Sequence, residues 1–107
     1  MNQRDRIKQK ILCINSKRWW GDDFDVRFYL ISLINKFKNK KILDVGGGIG
    51  IISSELDSSN LRVNLDSSLE DLKSCKTNFP DIIPVCASMY HLPFRDGVFD
   101  VVILSNV

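Results

Sequence analysis

A parallel-sheet α/β fold is predicted by three observations. From residue 41 onward, short apolar segments of strand length alternate with segments of helical period. One of those strands, Lys41-Ile42-Leu43-Asp44-Val45, runs directly into a glycine-rich turn. The last apolar run, Val101-Val102-Ile103-Leu104, is apolar on both faces, as a strand in the middle of a parallel sheet is. Crossovers in such sheets are right-handed, and ligands bind beyond the carboxyl ends of the strands, where the strand order reverses.

Residues 1–40 read as a helical leader, a unit distinct from residues 41–107. Ile7, Ile11, Leu12 and Ile14 recur at helical spacing. Trp19-Trp20-Gly21-Asp22-Asp23 breaks the pattern. A second helix is predicted over 25–37, with Val26, Tyr29, Leu30, Leu33, Ile34 and Phe37 on one side and Asp25 or a neighbouring Asp as its cap. The first strand follows at 41–45. Ile49, Ile52 and Leu56 then mark a short helix, closed by Asp57-Ser58-Ser59-Asn60. Leu61, Val63 and Leu65 alternate with Arg62, Asn64 and Asp66, which predicts a half-buried second strand. Residues 67–76 read as a helix, with Ser67 and Glu70 as a capping box. The third strand spans 82–87, and Pro84 within it argues for the sheet edge, where a missing N–H does little harm. Residues 92–99 form a loop, and the fourth strand is 101–104.

The chain has 107 residues, enough for one small domain. No apolar run approaches the ~18 residues of a membrane span. Residues 1–10 are polar and charged, unlike a signal peptide. Three widely spaced cysteines, Cys13, Cys75 and Cys86, form no CxxC pair. They read as small buried hydrophobes, without a metal or redox role, and fit a cytoplasmic protein. The single histidine, His91, lies in a loop-like stretch with no carboxylate or cysteine beside it, which argues against a catalytic base. Charge is unevenly spread: residues 1–41 hold eleven Lys/Arg against four Asp/Glu, and residues 42–107 hold four against nine. A basic leader can meet an anionic substrate or RNA. Arg4, Arg6, Lys8 and Lys10 lack interleaved aromatics, however, so a solvated helix face is the better reading and nucleic acid is not expected as a partner.

The strongest chemical signal is Leu43-Asp44-Val45-Gly46-Gly47-Gly48-Ile49-Gly50. Glycines let a ligand approach the backbone closely. Their spacing differs from the dinucleotide fingerprint, whose third glycine would fall at 51, where Ile51 stands. The second signal is Asp66, 22 positions past Asp44 at the end of the next strand. A carboxylate there can accept both hydroxyls of a ribose, or it can cap the helix that follows.

Asp44-Val45-Gly46-Gly47-Gly48-Ile49-Gly50 resembles motif I of the class I S-adenosylmethionine-dependent methyltransferases, and Val63-Asn64-Leu65-Asp66-Ser67-Ser68 resembles the acidic end of their second strand. Leu92-Pro93-Phe94-Arg95-Asp96-Gly97-Val98-Phe99-Asp100-Val101-Val102 is similar to the loop and fourth strand of their large small-molecule subgroup. The resemblance covers residues 41–107 and implies a Rossmann-like sheet with flanking helices. It implies methyl transfer from S-adenosylmethionine to a small-molecule acceptor. Backbone around Gly46, Gly47 and Gly48 would contact the methionine part of the cofactor. Asp44 would hold the turn and bind the cofactor amino group, directly or through water. Asp66 would take the ribose hydroxyls, with Ser67 near the adenine. Ser88 and Met89 would present groups to the adenine edge, and Ser105 would line the methionine moiety. The family often has Asp where Ser88 stands; a serine can still hydrogen-bond the adenine amino group, without charge assistance. No metal is implied and no catalytic base is named. Trp19 and Trp20 either pack the leader onto the sheet or fold over the cofactor.

In that family the fourth strand lies beside the first, with a fifth at its far edge. Here the chain ends at Val107, three residues after the strand. The expectation is a Rossmann-like part that stops after its fourth strand. Its unpaired edge would invite self-association or a partner strand, and the chain alone would not transfer methyl groups. The competing readings are a non-catalytic cofactor-binding fragment or partner subunit and, further off, a nicotinamide-dependent oxidoreductase.

Overall fold

The computed structural model describes residues 10–14 and 35–105. In chain order its elements are β1 (Lys10–Ile14), β2 (Lys41–Val45), α1 (Ile51–Glu55), β3 (Leu61–Asp66), α2 (Leu69–Asn78), β4 (Ile83–Cys86) and β5 (Val101–Ser105). The five strands form one sheet in the order β1-β5-β2-β3-β4, and every pairing is parallel. The four strands from residue 41 onward give the Rossmann-like α/β order that the sequence predicts. The chain steps outward from β2 through β3 to β4, then returns to the other side of β2 as β5. The order therefore reverses between β2 and β5.

Two expectations about the leader are corrected. Lys10–Ile14 is a strand, not part of a helix. Its Lys-Ile-Leu-Cys-Ile run is short, and the β-branched Ile11 and Ile14 suit a pleated segment as well as a helix. The backbone groups of β5 decide between the two, since Ile11 registers with Val102 and Cys13 with Leu104. The boundary at residue 40 is therefore not a boundary of the sheet. The β5 edge that was expected to stand open is covered by β1, which places β5 between two neighbours. Trp19, Trp20 and nearly all of the 25–37 segment lie outside the described residues, as does the side chain of Cys13. Asn35 and Lys36 already form a turn, short of the expected helix end.

The core has two faces. Leu43, Val45, Val63, Leu65, Phe99 and Val102 form one cluster, with Val85, Ala87, Phe94 and Leu104 packed against it. The loop before β5 covers this face: the Phe94 and Phe99 rings meet edge to face, 4.9 Å apart at 87°. The other face carries Ile42, Leu56, Val101 and Ile103, with Phe37 and Ile52 against them. At the amino ends of the strands a polar clasp fixes the approach to β2. The Asn60 side chain accepts from the Lys40 amide at 2.8 Å and donates to the Phe37 carbonyl at 3.0 Å.

Three further readings change. Arg62 and Asn64 are buried, so β3 is covered on both faces and its alternation does not mark a solvent side. The cap of α2 is Ser68, whose hydroxyl accepts from the Asp71 amide at 3.2 Å, in place of Ser67 with Glu70. Cys75 is buried as expected, whereas Cys86 is exposed on β4. β4 is the sheet edge, where Pro84 costs no ladder bond to a further strand. Among the described residues, no helix is long and apolar enough to cross a membrane.

Candidate functional site

Parallel strands put all their carboxyl ends at one edge, and the sequence-predicted residues gather there. β2 delivers residues 46–48, β3 delivers Asp66 and Ser67, β4 delivers Ser88 and Met89, and β5 ends at Ser105. The turn after β2 stays bonded to β3 as it leaves the sheet: the Gly46 amide donates to the Leu65 carbonyl at 2.7 Å. It then reverses into α1 through Gly50, whose φ of 90° places it in the left-handed region.

Asp66 ties this turn to the next crossover. Its Oδ2 accepts from the Gly48 amide at 2.9 Å and its Oδ1 from the Ser68 amide at 2.9 Å. The side chain buttresses the cap residue of α2 rather than capping the helix itself. Each carboxylate oxygen has a second lone pair, and the residue is half-exposed. Asp66 therefore retains acceptor capacity toward solvent. The β3 carbonyl of the same residue accepts from the Ala87 amide at 3.1 Å, which brings the end of β4 alongside. Ser67 is exposed next to it, and the Cys86 thiol points at the Ser67 carbonyl, 3.7 Å away.

Ser88 and Met89 follow at the exposed start of the loop. The Ser88 hydroxyl oxygen accepts from the Tyr90 amide at 3.1 Å, which leaves its own proton free to donate. Ser105 sits across the switch point, registered with Ile14 of β1. Gly46, Gly47, Gly48, Asp66 and Ser67 thus form one connected cluster, with Ser88 and Met89 beside β3 and Ser105 on the β5 side. His91 is exposed in the loop, and no cluster of three or more metal-ligating side chains occurs among the described residues.

Asp44 lies deeper than the other site residues. It is fully buried on the α1 face of the sheet, beneath the turn. Its Oδ2 accepts from the Ser53 hydroxyl at 3.2 Å, and its Oδ1 has no hydrogen-bond partner among the described residues. Burial pushes its carboxyl up to about 7; the Ser53 hydrogen bond opposes this and the nearby Asp66 charge adds to it. The Oδ1 is thus a buried acceptor with unused capacity directly beneath the turn.

Sequence reasoning missed Asn64. Its side chain is fully buried, donates to the Gly48 carbonyl at 2.8 Å and lies within 3.5 Å of the Cys75 sulfur. A Cβ at Gly47 would collide with the Asn64 Oδ1 and stand 2.7 Å from the Asp44 Oδ2. The available signal was a polar residue two positions before Asp66, on the same face of the strand. The alternating pattern assigned it to solvent instead.

These residues fit S-adenosylmethionine. Gly47 sits directly on the Asn64 and Asp44 side chains, which leaves the backbone of the turn as its outer surface. A half-exposed carboxylate with spare lone pairs suits a ribose diol, and the second lone pair of the Ser88 hydroxyl suits the adenine amino group.

Comparison with known proteins agrees with this geometry. A family model described as a methyltransferase domain matches residues 43–107. The chain is 41% identical over 78 residues to the uncharacterized protein MJ0638 of Methanocaldococcus jannaschii; the match covers 70% of this chain and 33% of that protein. A TehB-like SAM-dependent methyltransferase from Corynebacterium glutamicum superposes with a TM-score of 0.61 at 24% identity, over 84% of this chain and 48% of the other. The YcgJ protein of Bacillus subtilis superposes with a TM-score of 0.62 at 16% identity, over 70% and 36%. The chain thus spans about a third of the length of the curated relative it matches.

Proposed function

The chain belongs to the class I S-adenosylmethionine-dependent methyltransferase domain family, and from that premise we propose that it is the cofactor-binding part of a methyltransferase acting on a small-molecule acceptor. The observation that carries this reading is the Asp66 carboxylate, held 2.9 Å from the Gly48 amide. It joins a ribose-type acceptor to a side-chain-free turn at the switch point of a parallel sheet.

The family uses S-adenosylmethionine, which supplies an electrophilic methyl group on a positive sulfur. The contribution of this chain is position and orientation. Backbone of residues 46–48 lies against the methionine part, and Ser105 lines it from β5. Asp66 accepts from the ribose hydroxyls while it keeps its bonds to Gly48 and Ser68. Ser67 lies beside the adenine, the Ser88 hydroxyl oxygen accepts from its amino group, and Met89 flanks it with a polarizable thioether. Asp44 supports the turn from below. No residue is assigned as a base. Free thiols at Cys75 and Cys86 support a reducing compartment, and we place the protein in the cytoplasm.

Calorimetry of the chain with S-adenosylhomocysteine and with NAD tests the reading. S-Adenosylhomocysteine binds and NAD does not. Asp66→Ala weakens binding by roughly 1.5–3 kcal/mol, the range for hydrogen bonds to a charged group, and changes thermal stability less. Tight NAD binding with no response to S-adenosylhomocysteine overturns the proposal. Binding without methyl transfer to any acceptor favours a non-catalytic cofactor-binding subunit.

A further inference from the structure

Asp44 and Asn64 are register partners on the adjacent parallel strands β2 and β3, so their side chains leave the same face of the sheet side by side. Both are fully buried, and both reach the underside of Gly47. Each has one oxygen, Oδ1, without a donor among the described residues. The Asn64 amide is oriented by its other end, since Nδ2 faces two acceptors, the Gly48 carbonyl at 2.8 Å and the Cys75 sulfur at 3.5 Å. Turning the amide over would set Oδ1 against that carbonyl. Under Gly47 the Asn64 Oδ1 meets the Asp44 carboxylate, whose Oδ2 is the nearer oxygen there, and one proton on Asp44 would supply the missing donor.

We propose that Asn64 is a positioning residue for the cofactor: its Oδ1 accepts a proton carried on the Asp44 carboxyl, and its Nδ2 holds the Gly48 carbonyl so that the turn keeps its cofactor-receiving form. This rests on the cofactor reading above for its consequence, but not for its geometry. The Gly48 peptide is then gripped at both ends from β3, by Asn64 at the carbonyl and by Asp66 at the amide. When Asp44 releases its proton to solvent, its carboxylate becomes a stronger acceptor than the Gly48 carbonyl. The Asn64 amide then turns its N–H₂ toward Asp44 and the grip on Gly48 is lost.

Burial and the Asp66 charge favour the proton, whereas the Ser53 hydrogen bond opposes it. Ile103 of β5, the register partner of Asp44 on the other side, is apolar and fully buried. Ser53 of α1 donates to Asp44 Oδ2, and Cys75 of α2 lies against Asn64. Asp66, at the end of β3, adds negative charge. Asp71 of α2 lies close by, its Oδ2 3.8 Å from where a Gly48 Cβ would stand. Among the described residues of β3, Arg62 is the cation on this face; its Nη1 donates to the Ser53 carbonyl at 3.4 Å, and its buried Nε has no acceptor. Burial raises Asp44 to about 7, so the pair is neutral below that pH and ionised above it.

The test uses the chain with two readouts. Without ligand, ¹³C and ¹⁵N shifts of the Asp44 carboxyl and of the Gly48 peptide are followed from pH 5.5 to 8.5. The two titrate with one midpoint near 7, and in Asn64→Leu the Gly48 signals no longer follow Asp44. With S-adenosylhomocysteine, the wild-type affinity falls by up to about thirtyfold between pH 6 and 8.5, as loss of a protonated binding form with a midpoint near 7 gives. Asp44→Asn offers a donor at every pH, so its affinity no longer varies across that range. Asn64→Leu binds about tenfold more weakly at pH 6 and loses the pH dependence. A Gly48 peptide that ignores Asp44 titration in the wild-type chain overturns the proposal, whether or not cofactor binds. Failure to bind S-adenosylhomocysteine while the coupled titration persists counts against the cofactor reading and leaves the proton-sharing pair standing.

Discussion

Stability against pH follows from where Asp44 keeps its proton. In the unfolded chain its carboxyl titrates at the ordinary aspartate value of 3.8; in the fold, burial raises it to about 7. Between those values the native state binds more protons than the unfolded state, so this group contributes stability that falls as pH rises from about 4 to about 7 and is level above. The window corresponds to an upper bound of about 4 kcal/mol, at 1.36 kcal/mol per unit. Asp44→Asn removes that slope. Urea unfolding at pH 4.5 and 7.5 is expected to show the variant gaining on the wild-type chain at the higher pH; parallel changes in the two proteins would mean that Asp44 ionises in the fold as it does in water. Asp57 acts in the opposite sense. Its carboxyl is lowered to about 2, chiefly by the Ser59 hydroxyl and then by Lys38, and its contribution is lost only as pH falls from about 4 toward 2. The two carboxylates therefore bias the acid limb of the stability curve in opposite directions.

The sheet edges are managed by different means. β4 carries Pro84, with Ile83 exposed beside it, and is an edge strand by composition. β5 has no such protection: Val101, Val102 and Ile103 are buried, and its outer backbone groups are taken up by β1. β1 reaches that place across 86 positions of sequence from Ile14 to Asp100, the residue before β5. Its contribution is therefore non-local, and local periodicity could not report it. A chain that starts at residue 15 would expose the β5 edge. Light scattering of that variant is expected to show concentration-dependent self-association beyond that of the 107-residue chain. A monomer at all concentrations would mean that β1 is not what shields β5. Self-association through β5 is in this view a property that β1 holds in check.

At the scale of the molecule, the site is a junction. Residues 46–48, Asp66 and the start of the loop after β4 come from three crossovers and are cross-linked by the Gly48–Asp66 and Ala87–Asp66 hydrogen bonds. A ligand seated there would bind the folded chain and not the unfolded one. S-Adenosylhomocysteine at about 100 times its dissociation constant is expected to raise the unfolding free energy by about 2.7 kcal/mol. The same ligand should slow amide exchange at Gly46, Gly48 and Ser68 more than at the buried amides of β5. Calorimetric melting and exchange together check this; a raised melting temperature with uniform protection would place the ligand away from the turn.

The sequence alone determined what short-range pattern can carry. Strand and helix periods from residue 41, the turn of residues 46–50 and the acidic strand end at Asp66 are local, and each is found where the pattern put it. Pro84 indicated an edge because a missing N–H is a local fact, and Val101 to Ile103 indicated a central strand because burial on both faces shows in composition. Tertiary structure decided the rest. A five-residue run such as Lys10–Ile14 is compatible with helix or strand, and the free backbone of a strand far along the chain settled it. The polar alternation of β3 suggested solvent, yet the glycine turn and α2 close over Asn64. Whether a carboxylate such as Asp44 meets a ligand or lies beneath the turn that does depends on what packs above it, and no local pattern encodes that.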